Sequence, residues 1–114
     1  MPPPRNSPSE ALDAFKASLA ADAPPTTLEP ALEALWWDGK GDWDKAHKRA
    51  MDIDDVDGAL VHAYLHRKEG DLDNARYWYR RAGRTAATGP LPAEWEAIVT
   101  ELHGRLVSVS VIAT

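Results

Sequence analysis

Apolar residues recur three and four apart through most of the chain, the spacing that gives a helix one buried face. Leu12, Phe15 and Leu19 form the first stripe, opened by Ser7, Pro8 and Glu10, a capping box with proline at the first helical position. Pro24 and Pro25 predict its end, because a residue preceding proline avoids the helical region. Leu28, Leu32, Leu35 and Trp36 make a second stripe. Thr26 and Glu29 predict its capping box, Pro30 is tolerated in its first turn, and Gly39 or Gly41 predicts its close. Trp37 falls off that stripe, so it packs against a neighbouring helix or is exposed. The acidic run D-I-D-D-V-D-G, residues 52–58, supplies the N-cap of a later helix. Trp95, Ile98, Val99 and Leu102 mark the last stripe, opened by Pro92 and ended at Gly104. In the tail, L-V-S-V-S-V-I-A-T, the period changes to that of a strand. A lone strand in a helical domain has no partner there, so the tail pairs with another copy, packs as coil or is disordered. Residues 1–6, with three consecutive prolines, predict disorder.

The stretch from Asp57 to Gly83 organises the rest: two helices joined at Gly70-Asp71. Gly70 can take the left-handed conformation that ends one helix, and Asp71 can accept the free amides that open the next. Ala75, Tyr79 and Ala82 then share one face, where small residues admit a close neighbour and a ring fills the gap. A shift of 29 residues places Gly41 on Gly70, Asp42 on Asp71, Asp44 on Asp73, Ala46 on Ala75 and Ala34 on Ala63. Two repeats are therefore expected, at about 28–53 and 57–83, the first with Ala50 in place of the ring at Tyr79.

With Ala63, Gly70, Asp71, Ala75, Tyr79 and Ala82 at its positions, the hairpin resembles a repeat of the tetratricopeptide and Sel1-like superfamily. The resemblance implies an all-α fold: a short stack of antiparallel helical hairpins, an α-solenoid fragment with a C-terminal capping helix, within one domain over residues 7–106. It also implies a concave groove for a protein or peptide partner. By the alignment that groove carries Leu35, Asp38, Tyr64, Arg67 and Lys68.

Composition narrows the function. The absence of cysteine removes disulfides, thiolate metal sites and cysteine nucleophiles, and fits a reducing cytoplasm. The start lacks the apolar core of a signal peptide, and no apolar run reaches membrane-spanning length, so cytoplasmic localisation without a membrane partner is expected. A net charge of -5 argues against nucleic acid, whose phosphates require lysine and arginine.

Candidate chemistry is sparse. His62 and His66, four apart, could reach one metal ion, with Glu69 adding a carboxylate. A zinc-protease pattern would need glutamate where Ala63 stands, so a hydrogen-bonded structural pair is the expected role and no cofactor is expected. A small-molecule or metal-binding protein centred on these histidines is the alternative. His47 and His103 receive no role. Tyr77, Trp78 and Tyr79 cannot all face the core: Tyr79 belongs to the repeat pattern, and at least one of the others sits on another surface, against a neighbouring helix or a partner. A basic cluster of Arg67, Lys68, Arg76, Arg80, Arg81 and Arg84 contrasts with the acidic residues between Asp38 and Asp57, as solvated faces or as a dipolar surface for an acidic partner. Without a nucleophile motif, P-loop or dinucleotide fingerprint, no enzyme is expected. The expected function is a non-catalytic protein-interaction module. A structural homodimerisation element remains open, since the five tryptophans and the apolar tail exceed what a short stack needs.

Overall fold

A computed structural model describes residues 8–113, with side chains over residues 9–104. The fold is all-α. Its helices are α1 (Pro8–Ser18), α2 (Pro30–Gly39), α3 (Trp43–Met51), α4 (Val56–Glu69), α5 (Leu72–Arg81) and α6 (Leu91–Ala113), with no strand among the described residues. None of these helices is long and apolar enough to cross a membrane.

The two glycine-aspartate turns are built alike. Gly41 and Gly70 both have positive φ, 86° and 93°, where a side chain would be strained. Asp42 then accepts from the Lys45 amide and Asp71 from the Asn74 amide, closing the open N-termini of α3 and α5. Asp55 does the same for α4, accepting from the Gly58 amide at 2.9 Å, as the acidic run predicts. Helix α2 packs on α3, α3 on α4, and α4 on α5. Ala34, Ala46, Ala63 and Ala75 are buried, as are Ala50 and Tyr79, so small side chains hold the helices close. Helix α6 packs against α1, α2 and α4, with Trp95, Ile98, Val99 and Leu102 buried.

Helix ends differ from expectation in three places. Helix α1 stops at Ser18, well before Pro24. The Ser18 hydroxyl donates to the Phe15 carbonyl at 2.6 Å and accepts from the Trp36 indole at 3.0 Å, and residues 19–21 tighten into i→i+3 turns. Lys40 Nζ donates to the freed carbonyls of Leu19 and Ala21. Helix α2 begins at Pro30 with Glu29 as N-cap and no side-chain cap, so the Thr26–Glu29 box does not form; proline's fixed φ starts the helix instead. The third difference is the tail. Helix α6 continues through Gly104 to Ala113, so the strand-like tail is helical, because extending an established helix needs no new nucleus. Ser7, residues 1–6 and Thr114 lie outside the described residues.

Gly58, in the first turn of α4, is required by close approach. A Cβ there would lie 2.5 Å from the Ile53 carbonyl oxygen and 2.7 Å from its side chain. Alanine in an ordinary helix gains stability over glycine, but this backbone contact reverses the sign. We expect Gly58→Ala to destabilise by about 1–2 kcal/mol, the overpacking cost less the helix-propensity gain. Urea denaturation checks this, and equal or greater stability would show that the linker ahead of α4 yields freely.

Candidate functional site

Two features of α4 stand out, on opposite sides of it. Tyr64 and Lys68 lie on one side. His62 and His66, each two residues away and so about 200° round the helix, lie on the other.

On the first side, Asp38 is buried near the end of α2. Its Oδ2 accepts from the Tyr64 hydroxyl at 3.0 Å, and its Oδ1 accepts from Lys68 Nζ at 2.9 Å. Burial, with Asp38 beside it, pushes the Tyr64 hydroxyl pKa well up, so it stays a protonated donor. A cleft of about 480 Å³ opens here between α1, α2, α4 and α6, with Leu19, Tyr64, Leu91, Pro92 and Trp95 as its apolar lining. At its rim Lys16 bonds Glu96 at 3.0 Å and Lys68 bonds Asp38.

Three of the five residues assigned to a groove, Asp38, Tyr64 and Lys68, line this cleft. Leu35 is fully buried, and its carbonyl accepts from the Trp95 indole at 3.0 Å. Arg67 is turned inward: Nη1 donates to Glu94 at 2.9 Å and Nη2 to the Gly89 carbonyl. Helix α6 supplies both contacts with Glu94 and Trp95. The sequence assigned neither residue a role at this place, because nothing local marks which helix will cross α2 and α4.

The expected basic surface is also largely satisfied. Besides Arg67 and Lys68, Arg76 pairs with Asp73 and Arg84 with Glu101, while Arg81 donates to the Tyr77 hydroxyl.

On the second side, His62 and His66 are buried with their rings stacked at 4.8 Å and 20°. They are not bonded to each other. His62 Nε2 instead meets His47 Nε2, on α3, at 2.9 Å. His66 Nδ1 meets Glu69 Oε1 at 2.8 Å. One donor nitrogen from each of His47, His62 and His66 lies within 4.8 Å of the others.

Aromatic rings frame the set. Trp43 stacks on His47 at 4.7 Å and is pinned by its indole N–H to the Leu65 carbonyl at 2.9 Å. Trp78 stacks on His62 at 4.0 Å. Burial, reinforced by His47 and His66, pushes the His62 pKa down to about 4, and burial lowers His47 as well. Both rings are therefore neutral at physiological pH, the form in which imidazole accepts a cation.

The structure thus adds His47 to a pair the sequence had already noticed. A faint signal existed: Trp43 and His47 are four apart and share a face of α3. The repeat alignment hid it by matching His47 to Arg76, an exposed position. His103 sits apart with its ring edge-on to Phe15. Compared with family models, curated proteins and solved structures, the chain shows no match.

Proposed function

We propose that this chain is a non-catalytic, cytoplasmic protein-interaction module. It is built as a tetratricopeptide/Sel1-like stack of two hairpins, α2–α3 and α4–α5, with α6 as the closing helix. Support for the repeat reading is the equivalence of the two turns and of the buried alanine pairs, Ala34 with Ala63 and Ala46 with Ala75.

The observation that carries the function is the cleft beside Tyr64. Its apolar lining suits one bulky side chain, and the ammonium groups of Lys16 and Lys68 stand at its edge, 48% and 39% exposed. The occupant is a partner peptide in which an apolar residue adjoins a carboxylate. Such a group shares lysines that already bond Glu96 and Asp38, and the hydrophobic contact supplies most of the affinity.

A photo-crosslinking residue at position 16, at the rim, should capture a partner that the same residue at Asp73, on α5, does not. Lys16→Glu combined with Lys68→Gln should weaken binding of that partner by about tenfold, measured at a temperature where both proteins remain folded. Equal capture from both positions, or a partner indifferent to the double change, would reject the cleft as the binding surface.

A further inference from the structure

The histidine cluster shares no residue with the cleft and stands independently of the interaction reading. We infer that His47, His62 and His66 form a binding site for a single divalent transition-metal ion of the zinc type. Two ligands lie one helical turn apart on α4, and the third comes from α3, which packs beside it.

The distances suit this. In a tetrahedral site with metal–nitrogen bonds of about 2.0–2.1 Å, the donor nitrogens stand roughly 3.3 Å apart. His47 and His62 present Nε2 atoms already 2.9 Å apart, and all three donors fall within 4.8 Å. Gathering them requires small opposing motions: His47 and His62 separate slightly, and His66 tilts out of its stack. The final ring torsion of histidine is broad, so such tilts cost little.

The proton account balances. In the hydrogen bond between His47 and His62, one Nε2 carries the hydrogen and the other accepts it. Metal binding takes the place of that shared hydrogen, which moves to Nδ1 of the same ring, so two neutral imidazoles bind without net proton release. His66 is arranged for the same mode: with its Nδ1–H donated to Glu69, its Nε2 lone pair is left for the ion.

This carboxylate–imidazole pairing orients a ligand, which makes Glu69 a positioning residue. Trp43 and Trp78 hold the flanking rings against rotation. His62 also lines a cleft of about 470 Å³ edged by Asp54, Asp55 and Arg81, two acids to one base, which gives the ion a solvent path. The fourth position falls to water. Imidazole-only ligation selects zinc, copper, nickel or cobalt over magnesium or calcium.

The test uses full-length protein, stripped by chelator and free of any histidine tag, titrated with zinc and separately with cobalt. We expect one zinc ion per chain, a higher melting temperature reversed by chelator, and the intense visible absorption of tetrahedral cobalt. His47→Ala should weaken zinc binding by at least about tenfold and Glu69→Gln by about tenfold, whereas His103→Ala should bind normally. The wild-type cobalt spectrum decides the matter even if His47→Ala fails to fold. Absence of stoichiometric zinc binding at micromolar concentrations, a weak octahedral cobalt spectrum, or a folded His47→Ala protein with undiminished affinity would each overturn the site.

Discussion

Glu94→Ala should destabilise the domain by about 3–5 kcal/mol, the usual loss when one member of a buried ion pair is removed. Glu94 is only 9% exposed at its side chain and Arg67 14%. One carboxylate oxygen accepts from Arg67 Nη1, and the other from the Tyr79 hydroxyl. Burial, with that carboxylate beside it, pushes the Tyr79 pKa well up, keeping the hydroxyl a donor. Removing Glu94 therefore takes the counter-charge from the Arg67 guanidinium and the acceptor from the Tyr79 hydroxyl at once, inside a domain whose total stability is on the order of 5–15 kcal/mol. Glu94→Gln, which retains an acceptor for Tyr79, should cost less.

The contrasting variant is Glu96→Ala, two residues on, whose partner Lys16 is half-exposed; it should cost no more than about 1 kcal/mol. Urea denaturation followed by tryptophan fluorescence measures all three. Equal effects at positions 94 and 96 would mean that α6 is not tied to α4 through Arg67.

Acid should destabilise this protein through its histidines before most of its carboxylates are titrated. His62 has a folded pKa of about 4 against an ordinary 6.5, and His47 and His103 are also lowered. A lowered base pKa means that the unfolded chain takes up protons which the folded chain refuses. This stability is fully present above about pH 6.5 and is lost as pH falls towards 4, where the penalty levels off.

Each pKa unit is worth about 1.4 kcal/mol. With allowance for solvent screening, the His62 shift amounts to roughly 2–3 kcal/mol, and His47 and His103 act in the same direction. The groups facing His62 shape the window: His47 and His66 oppose its protonation, while Glu69 and Asp44 act on His47 in the opposite sense. Nuclear magnetic resonance of the imidazoles isolates this effect from the carboxylates. His62 should remain neutral at about pH 5. A His62 midpoint near 6.5, or stability that does not fall over that interval, would contradict the buried cluster.

What the sequence determined by itself was local. The left-handed turns at Gly41 and Gly70, the caps at Asp42, Asp55 and Asp71, and the burial of Ala46, Ala75 and Tyr79 follow from rules spanning three or four residues. So does the shared face of His62 and His66. At the end of α1 a contact from elsewhere intervened, with Ser18 bonding Trp36, whereas the tail stays helical as a simple extension of α6.

Only the tertiary structure decided which helices meet. Nothing within one turn of Arg67 indicates that Glu94, 27 residues away, will neutralise it. Nothing around His47 indicates that α3 will swing it onto His62, 15 residues on. Helical periodicity fixes which side of a helix a residue occupies. It leaves open which neighbour covers that side, because helix crossing is set by the fit of whole surfaces, in which many weak contacts are summed.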